Sequence, residues 1–359
     1  MPQKLGALPL EAKIKYGSLY DAPIIWKIAD KNHEGYPENS VTLVTDQIIK
    51  LLCFDAKESD NPDSNRRDYG NNRYVWSSIR QWLNSDVDAG QWYTPQHGTD
   101  APPSSENVFA SDGVAVNPYD MVAGFLNSFT ETERSALLST TITVGKSNAD
   151  GGGTETCVDK IFLLSCTEVG LIGDHVCGSK LMIFHDNSSR IATVTISCVD
   201  NSNYPGDPMA NSAWYYWLRD AFAQSSDSTR NVHSDGTLLG NYPYIGFRGL
   251  RPACNLTADL IVSDKPDADG CYTIITVPSI TVPQTAKDTV TVRVKALDSE
   301  GHESEYATGA VQMILCDKVI RKIPWQQGKP FKARQYTYNG KKQYQTMREG
   351  ALAGIEAEP

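Results

Sequence analysis

Apolar and polar residues alternate with a period of two near both ends of the chain, whereas the middle carries helical spacing and long polar loops. Lys13-Ile14-Lys15-Tyr16 alternates, Gly17-Ser18 interrupts, and Pro23-Ile24-Ile25-Trp26-Lys27-Ile28 resumes, which predicts two strands joined by a turn. Val41-Thr42-Leu43-Val44-Thr45 predicts a third strand, continued by apolar residues over 48–54, and the Asp/Asn/Arg-rich run 55–72 reads as a surface loop. Ser77 is placed to cap a helix with Ile79, Trp82 and Leu83 on its apolar face. Met121, Val122, Phe125, Leu126 and Phe129 predict a second helix over 119–129. Thr130 and Glu133 have capping-box spacing for a third, ending near Leu138, and Ser165 and Glu168 repeat that spacing after the core strand 161–164. Further strands are expected over 191–197 and 247–256.

Two long segments resist any periodic reading. The insertion 84–117 contains Pro95, Pro102 and Pro103 and no clear element. The stretch Trp214 to Leu256 opens on Trp214-Tyr215-Tyr216-Trp217-Leu218-Arg219 and closes on Gly246-Phe247-Arg248-Gly249-Leu250-Arg251-Pro252, with a polar middle between. Stiff ends around such a middle point to a scaffold presenting a binding surface. Arg219 and Arg251 are expected to pin the two ends by satisfying buried carbonyls or carboxylates. Trp26, Trp76, Trp82, Trp214 and Trp217 are expected in the core.

After a polar linker near 261–270 the pattern becomes purely β-like. Val290, Val292, Val294 and Ala296 alternate with polar neighbours, and residues 310–315 can form another strand. The run 335–344, centred on Asn339-Gly340, is a hairpin signal, because Asn-Gly supplies the positive-φ pair of a tight turn. Three regions are therefore expected: 1–265, 271–318 and 319–359.

Charge sharpens this division. Residues 319–359 hold eight Lys/Arg against three Asp/Glu, a net +5, which leaves −15 on the other 318 residues of a chain whose total is −10. The net charge of −10 argues against nucleic acid, which is bound through clustered Lys and Arg. No apolar run reaches the ~20 residues of a membrane span, so no membrane insertion is expected. The eight cysteines include no Cys-x-x-Cys pair, and Cys53, Cys166 and Cys254 sit in apolar contexts as buried thiols. The six histidines are scattered, no nucleophile-elbow motif occurs, and the acids at 264–270 lack the spacing of a calcium loop. No metal, no cofactor and no catalytic residue is assigned.

Residues 16–30, 74–84 (YVWSSIRQWLN), 159–171 (DKIFLLSCTEVGL), 214–219 and 249–256 occur in an order that resembles a domain of uncharacterised function found in bacterial surface and phage structural proteins. That domain is similar in fold to the C-type-lectin-like and formylglycine-generating-enzyme group, and the likeness covers about residues 5–270. Residues 290–308 resemble the last strands of a fibronectin type III or immunoglobulin-like module. The resemblance implies an α+β architecture: a C-type-lectin-like mixed domain with long loops, a small all-β Ig-like module, and a C-terminal β-hairpin tail. Neither the redox cysteine pair of formylglycine-generating enzymes nor the calcium–sugar motifs of lectins are present; Pro37-Glu38-Asn39 is a permuted lookalike.

In related proteins the late loops are exposed and can be diversified by a retroelement. The matching positions here are Phe222, Asp227, Ser228, Asn231, His233, Leu239, Asn241, Tyr244, Ile245, Phe247 and Arg248. Aromatic, Ser, Asn and Gly residues suit adaptable recognition. The resemblance thus implies a phage or prophage virion protein, made in the host cytoplasm, that binds a host cell-surface receptor, protein or glycan, without catalysis. Its C-terminal region would attach to other virion proteins, and a homo-oligomer is expected. Two other readings remain open: a capsid or tail decoration without a receptor, and a glycan-processing enzyme with a carboxylate pair in the 84–117 insertion.

Overall fold

A computed structural model describes residues 3–206 and 208–275, and beyond them the strands Ile280–Thr281, Thr289–Val292, Thr308–Leu315, Lys318–Gln326, Phe331–Tyr338 and Lys341–Met347. The chain divides into two compact units, Pro9–Ala258 and a second made of Met1–Leu8 with Asp259–Pro359.

The strands that organise the larger unit are, in chain order, β1 (Lys13–Leu19), β2 (Ala22–Lys31), β3 (Ser40–Thr45), β4 (Lys50–Leu52), β5 (Thr140–Gly145), β6 (Thr154–Asp159), β7 (Ile161–Phe162), β8 (Tyr216–Ala221), β9 (Thr229–Val232), β10 (Leu238–Asn241), β11 (Arg248–Leu250) and β12 (Ala253–Thr257). One sheet runs β1-β2-β3-β12-β7 and a second β10-β9-β8-β11-β4, with β5 and β6 forming a separate hairpin. All pairings are antiparallel except β8 with β11, which meet at Tyr216 and Gly249. The architecture is α+β, the class the resemblance implied, and mostly β.

Apolar alternation explains the core. Ile14, Tyr16, Ile24, Trp26 and Ile28 point inward from β1 and β2, and Trp82, Trp217, Phe54 and Phe162 complete the buried volume. Helix α1 (Ser64–Tyr69) is capped by Asp63, so the expected loop 55–72 carries one helix. Helix α2 (Ser78–Leu83) is capped by Ser77 and buries Ile79, Trp82 and Leu83, as its spacing predicts. Helix α3 (Glu131–Ala136) starts with the Thr130/Glu133 capping box, both halves of it made. Cys53, Cys166 and Cys254 are buried free thiols.

Three expected elements take other forms. The helix over 119–129 shrinks to one 3₁₀ turn, Phe125–Ser128. Its backbone donors are captured from outside: Gly124 donates to the Val87 carbonyl and Leu126 to the Ser85 carbonyl, which leaves fewer bonds for a continuous helix. After Ser165 there is a turn and no helix. Both capping contacts between Ser165 and Glu168 form, but Gly170 at φ 71° closes the chain back. The strand expected over 191–197 is two residues, Ala192–Thr193, followed by helix Ile196–Asp200, which Thr195 caps.

In the second unit Gln3–Lys4, Ile261–Val262 and Cys271–Ile275 form an antiparallel set, with Lys4 paired to Asp259 at 2.7 Å. Thr308–Leu315 pairs antiparallel with Lys318–Gln326, across residue 318. Phe331–Tyr338 pairs with Lys341–Met347 in the hairpin read from the sequence, Tyr338 opposite Lys341. Asn339-Gly340, and residues 293–307 of the Ig-like resemblance, lie outside the described residues.

A candidate ligand-binding surface

The parallel meeting of β8 and β11 places side chains from the two ends of the 214–256 stretch next to each other. The Gly249 amide donates to the Tyr215 carbonyl at 2.8 Å, an approach that only glycine permits, since a Cβ there would lie 2.6 Å from that oxygen. Arg248 is thereby laid over the Tyr215 ring at 4.2 Å and the Phe247 ring at 4.8 Å. The Trp214 indole donates to the Phe247 carbonyl at 2.8 Å and locks the same junction.

From this junction ring contacts run on in both directions. On one side, Tyr215 meets His233 at 4.6 Å and Trp214 at 5.5 Å. On the other, Phe247 stacks on Tyr204 at 4.3 Å and meets Phe109 at 5.5 Å. Phe109 reaches Tyr244 at 5.7 Å, and Tyr244 meets Tyr69, which stacks on Tyr242 at 4.2 Å. Every ring in this belt is half-buried, except Tyr242, which is exposed. Such rings are held by the protein on one face and keep part of another for a ligand.

The 84–117 insertion supports the belt. Phe109 donates its amide to the Tyr244 carbonyl, Val116 donates back to Phe109, and the Asn117 amide group donates to the Gly246 carbonyl at 2.8 Å. Asn117 and Asn203 exchange backbone-to-amide bonds of 2.7 and 2.9 Å, which fixes Tyr204 near Phe247. Burial, and then the neighbouring phenols of Tyr69 and Tyr242, push the Tyr244 pKa up, so its hydroxyl stays a neutral donor.

The eleven sequence-predicted positions separate into groups. His233, Tyr244, Phe247 and Arg248 belong to the belt. Phe222, half-buried under the Arg230 guanidinium at 4.2 Å, lies at a corner with Asp227 and Ser228, where Asn72 donates to the Ser228 carbonyl at 2.9 Å. Leu239 is exposed and Asn241 half-buried, both on the sheet's edge strand β10. The expectation of exposure is corrected at four positions: Asp227, Asn231, Ile245 and Arg248 are buried. Asn231 is fully enclosed because it sits on β9 between Trp217 of β8 and Leu239 of β10. Neither atom of its amide has a partner among the described residues.

Sequence reading missed Tyr69, Phe109, Tyr204, Tyr215, Trp214 and Tyr242. Trp26, Trp82 and Trp217 are core residues as expected, but Trp76 and Trp214 are half-exposed. Arg219 and Arg251 take the structural role expected of them. Arg219 donates to the Thr143 and Leu163 carbonyls and pairs with Glu168, and Arg251 donates to the Thr45 and Arg190 carbonyls and to the Tyr216 hydroxyl.

One further cluster has metal-ligand chemistry. Glu58, His97 and Asp100 bring one donor atom each within 4.8 Å of one another. Glu58 is already engaged: Asn71 donates to it at 2.9 Å, Thr99 at 3.1 Å, and His97 Nε2 lies 3.0 Å away. Hydrogen bonds from His97 and its neighbours hold the Glu58 carboxyl below its usual range despite its burial, and Glu58 raises the His97 imidazole in return. Glu58 and His97 form an ion pair beside the Trp76 ring, which lies 4.8 Å from His97.

These features define a mostly-β α+β domain with a ring-lined surface built across its parallel strand junction. The chain belongs to the family described as Domain of unknown function (DUF6273), whose model matches residues 39–258. No curated protein and no solved structure matches the chain.

Proposed function

We propose that this protein is a non-catalytic recognition protein that holds its ligand along the aromatic belt from Trp214 to Tyr242. The observation that carries the reading is the unbroken series of ring contacts, Tyr215–Arg248–Phe247–Phe109–Tyr244–Tyr69, with each ring partly open to solvent. Rigid rings contribute contact area with little loss of side-chain freedom, which is why recognition surfaces are rich in them. The supporting loops bond backbone to backbone, so the surface is organised before a ligand arrives.

The likeness to phage and bacterial surface domains with a C-type-lectin-like fold supplies the setting. In that setting the protein is a virion component made in the host cytoplasm, and the ligand is a host-surface receptor. The basic C-terminal region attaches it to acidic virion partners or to sister chains, and the −15 remainder faces outward. Multiple copies on one particle raise the effective affinity by ~10²–10⁴.

The test is retention of the purified protein on a panel of intact bacterial strains. Tyr215→Ala, Tyr244→Ala and Phe247→Ala combined are expected to abolish retention while the far-UV spectrum and a cooperative melting transition, at lower temperature, are kept. Undiminished retention by that folded variant would refute the belt.

A further inference from the structure

The larger unit buries five arginines: Arg66, Arg190, Arg219, Arg248 and Arg251. Four of them are fully provided for. Arg66 pairs with Asp150 and donates to the Ser226 carbonyl. Arg190 donates to the Gly236 and Val169 carbonyls and to Asn187. Arg219 and Arg251 are held by the carbonyls, carboxylate and hydroxyl named above. Arg248 is different. It is only 8% exposed and its Nε is enclosed without a partner, while its two terminal nitrogens, which donate to no carboxylate or carbonyl among the described residues, lie on the side that keeps the remaining exposure. Its neighbours are rings: Tyr215 at 4.2 Å and Phe247 at 4.8 Å, with Tyr204 stacked behind Phe247.

A guanidinium carries five N–H donors and stays charged under all ordinary conditions. Burying it without an acceptor is costly, and ring faces offset only part of that cost. Burial lowers the Arg248 pKa, the direction expected when desolvation outweighs the attraction of the nearby phenols. A ligand that reaches the terminal nitrogens of Arg248 would supply the acceptor that the described residues do not. The fork of a guanidinium matches a carboxylate or phosphate through two parallel hydrogen bonds. The partly open ring edges beside the guanidinium and the hydroxyls of Tyr204 and Tyr215 suit the rim of a sugar ring.

We infer that the belt recognises an acidic glycan, and that Arg248 seats its carboxylate or phosphate group between the Tyr215 and Phe247 rings. This rests on the proposed recognition function and names the ligand class for the same surface. The chain as a whole is strongly acidic, so long-range attraction does not drive the encounter; the selectivity is short-range and comes from one desolvated cation. A contact of that kind is weakly screened, in contrast to diffuse polyanion binding, whose affinity falls steeply with salt.

The experiment is direct binding of the full chain to immobilised bacterial polysaccharides in three sets: uronate- or sialate-bearing, phosphate-bearing, and neutral. The account expects binding to one acidic set, at least tenfold weaker with Arg248→Lys, which keeps the charge and loses the fork, and absent with Arg248→Met. It also expects less than a threefold loss between 50 and 300 mM salt. Because Arg248→Met removes an enclosed Nε without a partner and keeps an apolar chain against the rings, its melting temperature without ligand should stay close to the parent's. If Arg248→Met fails to fold, the Arg248→Lys loss and the carboxylate-versus-phosphate preference still decide the matter. Binding to neutral glycans that Arg248→Met leaves intact and the triple ring variant abolishes would overturn the Arg248 inference and preserve the belt. Binding only to an acidic protein, or salt-sensitive binding to every polyanion alike, would also overturn it.

Discussion

Arg219 and Glu168 meet face to face in the interior, Nη1 to Oε2 and Nη2 to Oε1 both at 2.6 Å, with neither side chain exposed. The Tyr36 hydroxyl donates to the same carboxylate at 2.6 Å. This pair ties the turn after β7 to the middle of β8, the strand that directly follows Trp214 and Tyr215.

Removing one partner would leave an uncompensated buried charge. Arg219→Leu or Glu168→Leu alone is expected to cost about 3–5 kcal/mol in urea unfolding. The double variant is expected to cost less than the sum, because the apolar pair leaves no stranded charge.

Alkaline pH should weaken the fold through its thiols. Burial pushes Cys157 and Cys198 up to about 12, and pushes Cys53, Cys166, Cys177 and Cys254 well above the ordinary thiol value. These groups keep their protons in the folded state and lose them near pH 9 when unfolded. Their contribution is therefore complete below pH 9 and is lost as pH rises above it. Lys50 acts oppositely: burial lowers it to about 8, so the folded state gains from about pH 8 to 10 as the unfolded chain continues to hold that proton. Six thiols outweigh one lysine. Urea titrations under reducing conditions should show stability falling as pH rises above about 9. Cys198→Ala should flatten that decline.

Gly246 lies where a Cβ would sit 2.0 Å from the Val116 carbonyl. Gly246→Ala is expected to push the 109–117 segment away, at a cost of about 1–3 kcal/mol, and to weaken ligand retention through Phe109 and Tyr244 although no ring is altered. Equal retention by Gly246→Ala would show that the insertion does not support the belt.

Asn231 was a sequence candidate for ligand contact, yet it is 0% exposed with its amide unpartnered. Asn231→Val should stabilise the protein by about 1–3 kcal/mol, because it removes a buried polar group without breaking a bond. Binding should be unchanged. A lost affinity with retained fold would return Asn231 to the site.

Much of the scaffold was legible because local rules and tertiary packing agree there. The alternation in β1 to β3, the Ser77 and Thr130 caps, the burial of Cys53, Cys166 and Cys254, and the pinning roles of Arg219 and Arg251 all follow from side-chain period and chemistry. The 119–129 helix failed because Ser85 and Val87, distant in sequence, capture its donors. Half of the belt was hidden for a similar reason. Tyr69, Phe109 and Tyr204 lie in loops that carry no periodic signal and meet Tyr244 and Phe247 only through long-range bonds such as Asn117 to Gly246. Within 214–256 no periodic signal says that a parallel pairing at Gly249 brings Tyr215 under Arg248.

The most direct test of the belt is hydroxyl-radical footprinting of the full chain, free and bound to intact bacterial cells that retain it. The account predicts protection of Tyr204, Tyr215, Tyr242, Tyr244 and Phe247 together, with Phe222 and Leu239 labelled equally in both states. Protection confined to Phe222 and Leu239, with the belt rings unchanged, would contradict it.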